Sequence, residues 1–184
     1  MTGWVEMLQA SGRYTFSRQE AEAGMRASSV AVQTALRRLK QKGKIATPHR
    51  GFHVIVPPEY RSAGCPPASW FVDDLMGRLG RSYYVGILTA AALHGAGHQQ
   101  PMVFQVIADR PTRPMMAGRI HVEVHTSRTV SEMPTSRVQT ETGTMAVATP
   151  ETTAFDLVRY DSAAGYWNNV ATVLAELAEK IDRD

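Results

Sequence analysis

The stretch SSVAVQTALRRLKQKGKIATPHRGFHVIVP, from Ser28 to Pro57, decides how the first third of the chain folds. Within it, Val32, Leu36 and Leu39 recur at helical spacing and predict an amphipathic helix with one buried face. Gly43 follows the last of these apolar positions, where a helix end favours a residue that tolerates a positive φ. The stretch therefore predicts a basic helix that stops just before Gly43.

A second helix and a hairpin flank this helix in the sequence. Ser17 and Glu20 form a capping-box pattern, which predicts the start of a short helix upstream. Downstream, Ile45 and the alternating apolar residues from Phe52 to Val56 predict two strands, with a turn at Pro48 to Gly51 between them. Two helices followed by a hairpin predict a winged helix-turn-helix.

Positive charge is concentrated in the same part of the chain. The formal net charge is +3, yet residues 1–61 contain ten Lys and Arg against four Asp and Glu, whereas residues 62–184 contain ten against thirteen. A basic domain beside a neutral or acidic one is typical of a domain that contacts phosphates. We expect this domain to bind double-stranded DNA; the alternative is a winged helix that docks onto a protein.

The main helix and the hairpin supply the candidate DNA contacts. Gln can pair bidentately with adenine and Arg with guanine in the major groove, so the outer helix face is expected to read bases. The expected base-reading residues are Ser29, Gln33, Thr34 and Arg37. The expected phosphate contacts are Arg38, Lys40, Lys42 and Lys44, and the hairpin tip adds His49 and Arg50 at the backbone or the minor groove.

The length of 184 residues and the apolar content of 43% fit two small domains. We predict an α+β chain with a winged helix-turn-helix at residues 1–60, a Pro-rich linker at 61–69 and an α/β domain at 70–184. In the second domain, helices are predicted over Trp70–Leu79 and Tyr83–His94, followed by a small sheet and two more helices. This order resembles a minimal nucleotidyltransferase-like fold.

Several classes of protein do not fit the composition. A single cysteine, Cys65, cannot form a disulfide within one chain or build a cysteine-based zinc site. No apolar run is long enough to span a membrane, and the N-terminus lacks the pattern of an export signal. We therefore expect a cytoplasmic protein that does not interact with a membrane.

The second domain lacks the residues that phosphoryl or nucleotidyl transfer needs. Two-metal chemistry requires two or three converging carboxylates, but the strands offer only Glu123, with Asp109 at the end of the preceding strand. His121, Glu123 and His125 alternate along one strand and could bind a metal ion. An exposed polar sheet face explains the same alternation, so we expect no catalytic residues, no metal and no cofactor.

Four stretches of the sequence carry a resemblance to a known family. They are ALRRLKQKGKIATPHRGFHVIVPPEY, SYYVGILTAAALHGAGHQQPMVFQVIADRP, MAVATPETTAFDLVRY and NNVATVLAEL. In this order they resemble the AbiEi-type antitoxins of bacterial type IV toxin–antitoxin systems, and the run from Tyr83 to Gly95 is the most specific part. The winged-helix stretch alone would match many regulators.

The resemblance implies an antitoxin that represses its own operon through the first domain. It also implies neutralisation of a nucleotidyltransferase-like toxin through the second domain, without the need for a stable complex with the toxin. The DNA partner would be the protein's own promoter, and inverted repeats there would accommodate two copies. The alternative is a solitary winged-helix regulator, or a protein-interaction adaptor, without a toxin partner.

Overall fold

A computed structural model describes residues 2–97 and 101–181 of the chain. Within these residues there are seven α-helices and nine strands in two sheets, which confirms the predicted mixture of helix and sheet. The chain divides into two compact units. The first unit comprises Met1–Leu75, Met115–His121 and Thr140–Gly143, and the second unit comprises Met76–Pro114, Val122–Gln139 and Thr144–Asp184.

The first unit begins with three helices and a small sheet around one apolar core. Its elements are α1 (Thr2–Ala10), β1 (Thr15–Ser17), α2 (Arg18–Met25), α3 (Ser29–Gln41), β2 (Ile45–His49) and β3 (Phe52–Ile55). The strands pair antiparallel in the order β1-β3-β2. The apolar stripe of α3, formed by Val32, Leu36 and Leu39, packs with Leu8 and Phe16 in this core, as the helical spacing predicts.

Local signals in the sequence correctly mark the ends of these helices. The Ser17 hydroxyl accepts a hydrogen bond from the Glu20 backbone N–H at 3.0 Å, and the Glu20 carboxylate accepts one from the Ser17 N–H at 2.7 Å. Gly43 has a φ of +63° directly after α3. Gly24 lies inside α2 at a point where any side chain would collide with the Trp4 ring.

The sequence does not predict strand β1, which is only three residues long. β1 lies beside β3, where Phe16 pairs with His53 and Ser17 with Phe52. As the central strand, β3 is buried along its whole length, although the alternation of its sequence predicts one buried and one exposed face. His53 and Ile55 share the face towards the helices, where Ile55 joins the apolar core and the Phe16 ring stacks on His53.

The proline-rich segment after β3 folds into turns and two short 3₁₀ helices, Pro58–Tyr60 and Ala68–Trp70. Cys65 is completely buried in this segment, and burial raises the pKa of its thiol to about 12. A buried thiol that stays protonated is a packing group rather than a reactive one. The segment belongs to the first unit in its entirety.

The remaining elements follow in chain order and include the second sheet. They are α4 (Val72–Arg78), β4 (Tyr83–Val85), α5 (Ile87–Leu93), β5 (Phe104–Ala108), β6 (Met115–Ala117), β7 (Ile120–Thr126), β8 (Thr135–Thr140), β9 (Gly143–Ala148), α6 (Pro150–Arg159) and α7 (Tyr166–Leu177). The strand order is β6-β7-β5-β4-β9-β8, with β4 parallel to β9 and β5 parallel to β7. None of the described helices combines the length and the apolar character that crossing a membrane requires.

The predicted helix over Tyr83–His94 is wrong in its first part. Tyr83–Val85 forms strand β4, which pairs with β5 and β9 in the middle of the sheet, and only Ile87–Leu93 is helical. A short apolar run satisfies the periods of both a strand and a buried helix. The strands on either side, which are distant in sequence, decide between the two.

Helix α6 begins as the sequence predicts. Thr149 accepts a hydrogen bond from the Thr152 N–H at 3.3 Å, and Pro150 takes the first helical position. Further along α6, Asp156 is only 1% exposed and its Oδ1 accepts a hydrogen bond from the Tyr84 hydroxyl at 3.2 Å. Burial raises the pKa of Asp156 to about 7.

Candidate nucleic-acid interface

The outer face of α3 is a continuous polar and basic surface of the first unit. Ser28 caps the helix by accepting a hydrogen bond from the Ala31 N–H at 3.3 Å, and the apolar stripe fixes which side faces the core. Six of the predicted contact residues lie exposed along the opposite side: Ser29, Gln33, Thr34, Arg37, Arg38 and Lys40. Val30 lies among them with 74% of its surface exposed, and the sequence interpretation does not single it out.

A cleft of about 260 Å³ separates α3 from the hairpin of β2 and β3. On the helix side it is lined by Gln33, Arg37 and Lys40. The first two are predicted to read bases, and Lys40 is predicted to contact a phosphate. On the hairpin side it is lined by Thr47 and His53. The fold therefore brings the predicted helix residues and the hairpin to one opening, whereas the predicted tip residues His49 and Arg50 are not part of its lining.

Arg18 also lines this cleft, and the sequence interpretation misses it. Its Nη2 donates a hydrogen bond to the Ser29 hydroxyl at 2.7 Å, and its Nε lies 3.0 Å from Glu22 Oε1. Hydrogen bonds from Ser29 and Arg18 lower the pKa of the Glu22 carboxyl. The spacing of Arg18 and Glu22, four residues apart on α2, is the sequence signal that could have indicated this pair.

The hairpin tip is held to the start of α2. The Arg18 backbone N–H donates to the Gly51 carbonyl at 3.1 Å, and Gly51 turns the chain with a φ of +73°. Behind the tip, His53 Nδ1 lies 3.1 Å from the Thr47 hydroxyl. Arg50 is exposed at the tip, and His49 Nδ1 lies 3.2 Å from the Arg50 carbonyl oxygen. The two predicted tip residues are thus adjacent and accessible.

Lys44 lies apart from the other predicted phosphate contacts. It lines a different cleft, of about 150 Å³, together with Glu6 and Leu39, and its Nζ is 3.9 Å from Glu6 Oε1. Lys42 is exposed at the C-terminal cap of α3, where its backbone N–H donates to the Arg38 carbonyl at 3.0 Å. The structure therefore separates two lysines that the sequence treats alike.

Most of the positive charge on this face is not neutralised within the part of the chain that the structure describes. The side chains of five basic residues form no ion pair with another described residue: Arg37, Arg38, Lys40, Lys42 and Arg50. Unpaired cations on one surface create a positive potential that attracts polyanions. Phosphate groups of a nucleic acid carry the opposite charge.

The described carboxylates of the second unit do not form a metal-binding cluster. Over residues 2–97 and 101–181, no group of three or more His, Cys, Asp or Glu side chains is arranged to hold a metal ion. Glu123 Oε2 and His125 Nε2 are 3.8 Å apart, and Asp109 Oδ2 lies 3.6 Å from Arg110 Nε. Two-metal chemistry needs carboxylates close together. The described residues do not provide such a metal-binding site.

Comparison with known proteins identifies a family. The family model of the AbiEi antitoxin C-terminal domain matches residues 84–184, which begin in strand β4 and include all of the run from Tyr83 to Gly95 except its first residue. No curated protein matches the chain. The match covers more than half of the 184 residues. The resemblance that the sequence predicts is thereby confirmed.

Proposed function

Since the chain belongs to the AbiEi antitoxin family, a regulatory rather than a catalytic family, we propose that it is an antitoxin that also represses its own operon by binding DNA. The antitoxin role follows from the family. The DNA-binding role rests on the first unit, most of which lies outside the matched residues. The two roles therefore need separate experiments.

One observation carries the DNA-binding proposal: Gln33, Arg37 and Lys40 of α3 share a cleft with Thr47 and His53 of the hairpin. In a winged helix, the second helix of the helix-turn-helix enters the major groove and the hairpin lies alongside. The order of α2, α3, β2 and β3 supports this assignment. Gln33 and Arg37 would then meet base edges, while the exposed cations around them would contact phosphates.

Within this proposal the predicted residues have different roles. Gln33, Thr34 and Arg37 would read bases, and Ser29 would lie at the start of the reading face. Arg38, Lys40 and Lys42 would bind phosphates on either side of the groove, and His49 and Arg50 would reach the backbone or the minor groove at the tip. Lys44 would contribute less, because Glu6 lies 3.9 Å from its ammonium nitrogen.

Fluorescence anisotropy with DNA from the protein's own promoter tests this proposal. The unchanged chain, Arg37→Ala and Lys42→Ala would be titrated at two salt concentrations. Arg37→Ala should reduce the free energy of DNA binding by about 1–3 kcal/mol and relax the sequence preference at one base position. Lys42→Ala should weaken binding to all sequences alike. Binding that does not depend on salt, or that is unchanged in Arg37→Ala, would contradict the proposal.

For the antitoxin role, we propose a nucleotidyltransferase-like toxin as the target and the second unit as the part that acts on it. We also propose that the second unit itself resembles a minimal nucleotidyltransferase fold, on the basis of its helices and small sheet. Co-expression with a toxin encoded beside the gene tests the role through bacterial growth. Rescue by the full chain and by Arg37→Ala would separate toxin neutralisation from DNA binding. A chain that binds its promoter but rescues no toxin would be a solitary regulator.

A further inference from the structure

A third cleft, of about 450 Å³, lies within the second unit and has no part in the proposed DNA binding. The apolar part of its lining includes Leu88, Val103 and Met102, and Met102 is 93% exposed. The polar part of its lining includes Glu123, His125 and Ser162. An exposed methionine next to a carboxylate combines an adaptable apolar wall with a fixed charge.

The floor of this cleft is held rigid by Gln105, which is buried on β5. Its side-chain oxygen accepts a hydrogen bond from the Leu88 N–H at 3.0 Å, and its amide nitrogen donates to the Ala163 carbonyl at 2.8 Å. Its backbone N–H donates to the Thr89 hydroxyl at 2.9 Å. These bonds join α5, β5 and the turn after α6, so the walls keep their positions before any ligand arrives.

The electrostatics of the cleft select for a cation. Glu123 is part-exposed and the lining includes no Lys or Arg side chain among the described residues. His125 does not neutralise Glu123, because burial lowers the pKa of the imidazole and keeps the ring uncharged at neutral pH. Its Nε2 is buried, has no hydrogen-bond partner among the described residues, and lies 3.8 Å from Glu123 Oε2, beyond hydrogen-bond distance. The part-exposed Glu123 carboxylate can therefore accept hydrogen bonds from a ligand in the cleft.

We propose that this cleft binds an arginine side chain of a partner polypeptide, with the guanidinium at Glu123 and the aliphatic stem against Met102 and Val103. A guanidinium presents several N–H donors in one plane, so it can donate two parallel hydrogen bonds to a carboxylate. It is also less strongly hydrated than an ammonium group, which suits a site with one apolar wall. The stem of arginine covers apolar surface while its head stays at the polar side.

This proposal does not depend on DNA binding, since its residues all lie in the second unit. A phosphate-bearing ligand does not suit the cleft, because it would meet Glu123 without a balancing cation. A nucleobase is the rival of another class, since its amino edge could also donate to a carboxylate. The apolar wall and the single charge favour the amphipathic arginine side chain.

Nuclear magnetic resonance titration of the full chain with capped arginine, which is acetylated and amidated, tests the proposal. We expect saturable shifts of the His125 ring and the Gln105 side-chain amide at millimolar concentrations. Capped citrulline has the same shape without the charge and should bind about fivefold or more weakly. Absence of saturable shifts, or equal binding of citrulline, would overturn the proposal.

Two variants and two further ligands sharpen the test. Glu123→Gln should weaken the binding of capped arginine about fivefold or more. Glu132→Gln changes an exposed carboxylate outside the lining and should leave this affinity unchanged. Equal losses in both variants would overturn the site. Agmatine that binds about tenfold more tightly than capped arginine would show a site for a free amine and overturn the proposal. Tighter saturation of the same signals by an uncharged nucleoside would show a nucleobase site and would also overturn it.

Discussion

The Arg18 guanidinium donates a hydrogen bond to the Ser29 hydroxyl at 2.7 Å and thereby joins α2 to the first turn of α3. The Ser29 hydroxyl also donates to Glu22, which pairs with Arg18. A single hydroxyl that accepts one bond and donates another has little capacity left for a base edge. The Ser29 side chain is thus held by its own neighbours, and within the proposed interface we expect other residues of α3 to read the bases.

Ser29→Ala is expected to keep the base preference of the protein. Its affinity for promoter DNA should fall uniformly and modestly, because the variant loosens Arg18 without removing a base contact. Anisotropy with a set of promoter fragments, each changed at one base pair, measures this, and Gln33→Ala serves as the matched comparison. Relaxed preference at one position in Ser29→Ala would show that Ser29 reads a base after all.

Lys42→Ala and Lys44→Ala should differ although the residues are two positions apart. Each phosphate contact contributes about 0.9 to the slope of log affinity against log salt. Lys42→Ala should reduce that slope by about one, whereas Lys44→Ala should leave it nearly unchanged, because Lys44 faces Glu6 in another cleft. Equal slope changes in the two variants would place Lys44 at the DNA.

Val30→Ser should lower discrimination in favour of thymine. Val30 is 74% exposed in the first turn of α3, and an exposed apolar group on a reading helix can contact the thymine methyl. Replacement of single thymines by uracil in the promoter DNA is the measurement. One thymine should matter for the unchanged chain and cease to matter for Val30→Ser; a variant that still distinguishes the two bases would argue against this contact.

Asp156→Asn should remove a pH dependence of stability. The pKa of Asp156 is raised from 3.8 to about 7 by burial, so its contribution to stability is complete below about pH 4 and is lost as the pH rises through 7. The free energy of unfolding of the unchanged chain should therefore fall by up to about 4 kcal/mol over that range from this group. Asparagine can still accept the bond from Tyr84, so the variant should be more stable above pH 7.

Urea unfolding followed by circular dichroism between pH 4 and 8 checks this expectation. Glu179→Gln, which changes an exposed carboxylate, is the control and should keep the pH dependence of the unchanged chain. The expectation fails if Asp156→Asn loses stability with rising pH as steeply as the control does.

Gly86→Ala should destabilise the chain. A Cβ at Gly86 would lie 2.7 Å from Ile107 Cδ1 and 2.9 Å from Asp156 Oδ2, so the buried neighbours would have to move at a cost of about 1–3 kcal/mol. Gly77→Ala is the matched control, because it lies in α4 with open space around it and should stabilise by about 0.5–1 kcal/mol. Thermal unfolding of both variants compares them, and equal melting temperatures would contradict the close packing at Gly86.

Local signals in the sequence predicted a large part of this fold. Ser17 with Glu20, Gly43, and Thr149 with Pro150 each act through neighbours within four residues, so their effect on helix ends can be read directly. The apolar stripe of α3 also fixes which of its residues face outwards, because helical geometry leaves no other choice. Gln33, Thr34, Arg37 and Arg38 are exposed for that reason.

Only the tertiary structure decided the remaining features, because they depend on residues far apart in the chain. Tyr83–Val85 is a strand since β5 and β9 lie on either side of it, and Asp156 is buried because Tyr84, 72 residues earlier, packs against it. Composition shows a basic first third. The folded chain shows in addition that Arg18 lines the cleft between α3 and the hairpin, whereas Lys44 lines a different one. The position of a charge depends on packing, and its effect depends on that position.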